Sequence, residues 1–156
     1  MIAEEVATLL DAAGVWFESL PHARTETAHA EARALGVAAD SVAKTIVLAA
    51  PEGHVRVVLP ASERLDVRKV HNVLGLTKRD VSLLSEDKLS RDYPEFELGA
   101  VSPFAGAHAD RVLVDCRLVD HEQLVLEAGT HDASLRMRTS DLLDLTKGQV
   151  LDICQD

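Results

Sequence analysis

The sequence predicts an α+β domain on a mixed or antiparallel sheet, with helices packed against it. Three observations carry that expectation. Residues 44–60 hold two apolar runs separated by Pro51-Glu52-Gly53, a strong hairpin signal. The first run, Lys44–Ala50, is apolar at nearly every position, as a central strand covered on both faces must be. The second half is mostly short β runs, without the regular strand–helix alternation of a doubly wound parallel sheet. The chain has 156 residues and no repeat, low-complexity tract or Ser/Gly linker, so it reads as one domain over 1–156.

The elements follow in order. Residues 2–13 form an amphipathic helix, with Ile2, Val6, Leu9, Leu10 and Ala13 on one stripe and Gly14 as its end. Val15–Leu20 is a strand stopped by Pro21, and residues 27–35 are a second helix stopped by Gly36. His54–Pro60 is the return strand of the hairpin. Residues 66–74 form a short helix with Val67, Val70, Val73 and Leu74 inward. Val81–Leu84 is a short strand, and Ser85 caps a helix that ends before Pro94. Arg111–Asp115 and Gln123–Glu127 are strands, and Ala133–Arg138 alternates with Ala, Leu and Met on one face. Thr139 or Ser140 caps a helix through Leu145, and Gln149–Ile153 adds a last strand.

Composition narrows the function. Hydrophobic residues make up 47% and aromatics only 3%, so the core is aliphatic. Sixteen basic and 26 acidic residues give a net charge of −10. A protein that grips long nucleic acid through its phosphates is usually basic, so that strategy is not expected, whereas contact with a nucleic-acid end is compatible with this charge. Eight bases and five acids lie between Arg56 and Arg91, either a local basic face toward phosphates or a solvated mixed-charge surface. No apolar run approaches the roughly 18 residues of a membrane span, and the start lacks the basic and apolar regions of a signal peptide. Cys116 and Cys154 form no redox or metal motif, and Cys116 reads as a small core residue. A reduced cytoplasmic protein without membrane or DNA partners is expected.

Three places can carry chemistry. Lys44 opens the most apolar strand and shares a side with Ile46 and Leu48. It is either a lysine snorkelling at a strand end or a fixed cation for a phosphate or polarised carbonyl. Gly99-Ala100-Val101-Ser102-Pro103-Phe104 is either a structural turn or a loop presenting backbone N–H groups to a carbonyl oxygen. Ser102 is outside any G-x-S-x-G elbow and has no evident His/Asp pair, so it is not a nucleophile. Gly129-Thr130-His131-Asp132 lies between two strands, as a site-mouth loop or a hairpin turn with a solvated histidine. The other histidines, 22, 29, 54, 71, 108 and 121, lack metal-ligand spacing, and no nucleotide-binding glycine motif is present.

Lys44 in VAKTIVL, the GAVSPF loop, LEAGTHDASLRM and the closing DLLDLT occur in an order that resembles one family. It is the YbaK/prolyl-tRNA synthetase-associated (INS-like) editing domain family, and the likeness runs from about Leu20 to Ile153. The resemblance implies a barrel-like mixed sheet and hydrolysis of the ester joining a wrong amino acid to tRNA. Lys44 matches the strand lysine that contacts the substrate end; Gly99 and Pro103 match the fixed positions of the G-x-x-x-P loop beside the ester. His131 matches a histidine that helps hold the aminoacyl group in alanine-editing relatives.

The site implied by this likeness has Lys44, Gly99 and Ser102 as its catalytic set. Lys44 holds the terminal adenosine or a phosphate, and N–H groups around Gly99–Ser102 stabilise the oxyanion. Ala100, Val101, Pro103, Phe104, Gly129 and His131 border the substrate. Water attacks with help from the ribose hydroxyl, so neither a metal nor a cofactor is required. The partner is the acceptor end of aminoacyl-tRNA, with a synthetase or elongation factor as further partners. Lys44-Thr45 looks like cysteine-clearing members and Gly129-Thr130-His131 like alanine-clearing ones. A non-catalytic tRNA- or synthetase-binding module, or a small-molecule hydrolase, are the other readings. The deacylase reading requires the cation of residue 44 to face the glycine–proline bend across a hollow.

Overall fold

The computed structural model describes residues 1–106 and 109–156, and its eight strands form one sheet. The elements are α1 (Glu4–Ala13), β1 (Phe17–Pro21), α2 (Ala28–Leu35), β2 (Val42–Ala50) and β3 (Gly53–Pro60). There follow α3 (Val67–Val73), β4 (Ser82–Leu83), α4 (Glu86–Asp92), β5 (Arg111–Asp115) and β6 (Gln123–Glu127). The chain ends with β7 (Ala133–Arg138), α5 (Thr139–Thr146) and β8 (Gln149–Leu151). The strand order is β1-β7-β6-β2-β3-β5-β8, with β4 paired to β2 off that path. The sheet is mixed, as expected: the β2–β3, β2–β4, β6–β7 and β1–β7 pairs are antiparallel, and β2–β6, β3–β5 and β5–β8 are parallel.

The apolar run of β2 is central for the reason its sequence suggests. Ala43 and Val47 pack into one hydrophobic cluster with Val58, Leu126 and Met137, under Val6 and Leu10 of α1. Leu48 faces a second cluster, with Val57, Leu59 and Leu113, under Val70 of α3. Each fully buried Leu or Val contributes about 1.5–3 kcal/mol relative to exposure. Glycine ends α1 and α2 where expected: Gly14 and Gly36 adopt φ +68° and +67°. Thr27 caps α2, its Oγ1 accepting from the Ala30 N–H at 3.0 Å.

Several local expectations are corrected. Val73 is 38% exposed rather than inward, because α3 presents only Val70 fully to the core. Neither Thr139 nor Ser140 caps α5; Arg138 holds that position, and the Thr139 hydroxyl donates to the His121 carbonyl at 2.5 Å. Cys116 is exposed, since it begins the helical turn after β5 rather than continuing the strand. His108, among the histidines considered above, lies outside the described residues.

The edge of β2 opposite β3 is interrupted. Val42–Ala43 pair with β6 and Leu48–Ala49 with β4, so residues 44–47 have no strand beside that edge among the described residues. Backbone direction alternates along an antiparallel strand. The Val42 carbonyl accepts from Ala61 on the β3 side, and the Val47 carbonyl accepts from Leu84 on the other. By that alternation, the N–H and C=O of Thr45 face the gap.

Candidate active site

A cavity of about 420 Å³ occupies the gap. Ala43–Val47 of β2 form one wall, Gly99 and Val101 of the loop after α4 another, and Leu84 and Leu89 an apolar side. Lys44 and Gly99, predicted from sequence, therefore border one hollow. A larger hollow of about 590 Å³ lies by the β2–β3 turn, Leu74, Leu76 and Arg111, and contains none of the sequence-predicted site residues.

Lys44 is half-buried, and burial lowers its pKa from the ordinary lysine value. Its Nζ donates to the Glu63 carbonyl at 2.7 Å. The ammonium thus rests on the segment after β3, not on the glycine–proline bend that the sequence reading had it face. The side chain starts on the strand side shared with Ile46 and Leu48, whereas Val101 and Phe104 belong to the cluster on the other side. One of its three donors is engaged at Glu63.

The bend is tied to the loop between β6 and β7. Glu97 N–H donates to the Gly129 carbonyl at 2.8 Å, and Gly129 N–H donates to the Ala100 carbonyl at 2.9 Å. Gly129 has φ +95°, and a Cβ there would lie 2.5 Å from Ala3 Cβ and 2.9 Å from Phe96 Cδ1. It is a joint between loops rather than part of the cavity lining. Gly99 has φ +85° and stacks over the His131 ring. His131 is 1% exposed, which removes the solvated-turn reading. Its Nε2 lies 2.7 Å from the Leu98 carbonyl, which can only accept, so Nε2 carries a proton. The ring supports the bend from behind and is not itself in the lining.

Ala100, Val101, Ser102, Pro103 and Phe104 are all buried, and of these only Val101 borders the cavity. Ala100 N–H is engaged by the Glu97 carbonyl at 3.0 Å, and Phe104 N–H donates to Ser102 Oγ at 3.2 Å. The Ser102 carbonyl accepts from Arg56 Nη1 at 2.8 Å. Arg56, counted in the basic window, is 1% exposed and pairs with Asp110 at 2.8 Å, so it is an internal clamp on the bend.

Sequence reasoning missed an acidic wall. Glu26, Glu31 and Glu127 border the cavity. Glu31 is fully buried, and Ser134 Oγ donates to its Oε2. Burial raises its pKa to about 7, against the opposing Ser134 hydrogen bond. Burial first, then the neighbouring charges of Glu31, Glu26 and Glu97, push Glu127 up to about 8. His131 Nδ1 lies 3.0 Å from Glu127 Oε2 but without hydrogen-bond geometry. The available signal was Glu31 beside the inward Ala32 of a helix too short to spare a buried position. Among the described residues, no three His, Cys, Asp or Glu side chains group as metal ligands.

The aminoacyl-tRNA editing domain family matches residues 22–145, and the chain belongs to that family. No curated protein is similar enough to match. Among solved structures, a candidate trans-editing enzyme for prolyl-tRNA synthetase has TM-score 0.85 at 24% identity, over 97% of this chain and 96% of the other. The hypothetical protein APE2540 has TM-score 0.88 at 23% identity, over 97% and 100%. A scaffold protein redesigned for epitope presentation has TM-score 0.84 at 23% identity, over 97% and 96%. At these identities the likeness concerns the fold. No helix of the described residues is long and apolar enough to cross a membrane.

Proposed function

We propose that this chain is a trans-editing aminoacyl-tRNA deacylase, with tRNA-Pro mischarged with Ala or Cys as its substrate. The observation that carries the reading is that Lys44 and Gly99 line one cavity at the interrupted edge of β2, with the ammonium resting on the Glu63 carbonyl rather than facing the bend, so that it must turn from Glu63 toward the substrate. The ester is already activated, so water adds to its carbonyl carbon with the free ribose hydroxyl as proton relay. The bond between that carbon and the ribose oxygen then breaks, and the ribose oxygen takes the proton.

Lys44 holds the terminal adenosine or its phosphate through the donors not used by Glu63. The candidate oxyanion donors are the N–H groups of Gly99 and Val101, the loop residues that border the cavity, because Ser102 lies off it and the N–H groups of Ala100 and Phe104 are engaged inside the loop. One such donor contributes about 2.7–4 kcal/mol to the transition state. A synthetase or elongation factor in the cytoplasm would deliver the mischarged product.

The test is a panel of Ala-, Cys- and Ser-tRNA-Pro. At least one should be deacylated well above the buffer rate, and Lys44→Ala should lower kcat/KM by about tenfold or more, worth about 1.4 kcal/mol. Full activity of Lys44→Ala would sink the assignment. The second reading, a non-catalytic module that recognises the acceptor end, draws on the ammonium already resting on the Glu63 carbonyl; tight binding without turnover would favour it.

A further inference from the structure

The cation and the bend account for the phosphate and carbonyl of an aminoacyl ester, but not for its amine. The same cavity has an acidic side. Glu26 precedes α2, Glu31 lies within it, and Glu127 ends β6. Glu31 is fully buried, and its Oε1 has no hydrogen-bond partner. Glu127 Oε2 is buried and accepts no hydrogen bond, although His131 Nδ1 lies 3.0 Å away without the geometry for one. A buried carboxylate oxygen without a donor is costly unless something fills the place.

Neither Arg24 nor Lys44 reaches these oxygens; the basic groups beside them are the imidazoles of His131, 3.0 Å from Glu127 Oε2, and of His22, whose charge acts on Glu31. Arg24 pairs with Glu26 and Glu97 from a position 58% exposed, and the Lys44 ammonium rests on the Glu63 carbonyl. Among the described residues, no Lys or Arg forms an ion pair with Glu31 or Glu127. The carboxylates do not converge as metal ligands. What suits them is a small organic cation with several N–H donors, entering beside the apolar surface of Val101, Leu84 and Leu89.

We infer that Glu31 and Glu127, with Glu26 at the rim, form a subsite for the primary ammonium of the substrate's aminoacyl group. This rests on the deacylase reading and deepens it. The subsite orients the ester by its charged end and leaves the amino-acid side chain to the apolar surface. Acyl groups whose amine is blocked or absent leave the buried carboxylates unpaired and are rejected. Burial raises the pKa of both carboxyls, and an ammonium seated between them would lower it again.

The experiment compares Ala-tRNA-Pro with N-acetyl-Ala-tRNA-Pro and lactyl-tRNA-Pro, whose hydroxyl replaces the amine. In parallel, 3′-alanylamino-3′-deoxyadenosine and its N-acetyl form are titrated by NMR. Wild-type kcat/KM should fall about tenfold or more for both blocked substrates, and the free-amine analogue should bind tighter by a similar factor. In Glu127→Gln the preference should shrink to about twofold or less, by loss on the amine-bearing side alone. Glu31→Gln, whose amide oxygen still accepts from Ser134, is the second variant, with circular dichroism to check folding. Equal turnover of blocked and free-amine substrates overturns the subsite. If no tRNA is deacylated, the deacylase reading fails, and the titration decides alone. Binding that depends on the amine and on Glu127 then supports the subsite, and amine-independent or absent binding overturns it.

Discussion

Arg56 sits inside β3 with its guanidinium between Asp110 and the Ser102 carbonyl. Tyr93 extends the network, its hydroxyl 2.5 Å from Asp110 Oδ2 and 3.0 Å from His54 Nδ1. One carbonyl of the bend is thus held by a charge fixed from below. Removing one partner of a buried pair costs about 3–5 kcal/mol, because the other charge is left uncompensated. Arg56→Met should therefore unfold at markedly lower urea; an unchanged midpoint would contradict the clamp. Arg56→Lys keeps the charge but not the fork, so it should fold and lose kcat more than affinity. Sequence legibility stops at this scale. Arg56 reads as a surface base and His131 as a turn residue, because burial of a polar side chain depends on partners about 30 to 55 positions away. Lys44 was legible because its strand is so apolar, but its partner, a backbone carbonyl, leaves no mark in sequence.

The loops at Gly99 and Gly129 behave as one element, because each bonds to the other's backbone. Gly129→Ala would place a Cβ 2.5 Å from Ala3 Cβ at φ +95°, so both contact and conformation oppose it. A destabilisation of about 1–3 kcal/mol from the backbone alone is expected, with deacylation falling alongside. Equal melting temperatures for variant and wild type would remove the joint. Gly99→Ala has ordinary contacts of 3.6–3.7 Å to His131, so its penalty should be smaller and come from φ. The elements themselves were largely readable: the hairpin, the glycine-stopped helices and the alternating β7 all lie close to where periodicity places them. The misplaced features, Val73, Cys116 and the start of α5, lie at helix ends. There the outcome depends on what packs nearby rather than on spacing.

At the scale of the whole molecule, the charge distribution makes two predictions. Glu127 faces Glu31, Glu26, Glu97 and the His131 ring, and Glu31 faces Ser134 and His22; burial raises both above the ordinary value of 4.5, to about 8 and about 7. A carboxyl raised in the folded state contributes stability that is complete below its unfolded pKa and is lost as pH rises through the folded one. Stability from this pair should therefore decline between about pH 4.5 and 8. Asp80, Asp132 and Asp152 are lowered, so their contribution is lost at acid pH instead. Thermal melts should peak at mildly acidic pH, and Glu127→Gln should flatten the alkaline side; a melting point that rises from pH 5.5 to 8.5 would contradict this. With net charge −10, the proposed deacylase would hold the tRNA acceptor end at few phosphates. At about 0.7 per single-strand phosphate contact, log affinity against log salt should have a slope of about −1 to −2. A slope steeper than about −4 would point to a broad basic face.

The gap beside β2 also determines how the hollow can be lost. It exists because β4 and β6 stop short of each other along β2, so the peptide groups of Thr45 face it whatever side chain that residue carries. Lengthening β4 and β6 toward each other until residues 44–47 are all paired would close it by ordinary strand pairing. Indels at either strand end, rather than point substitutions, are thus the changes most able to turn such a domain into a sealed, inert one.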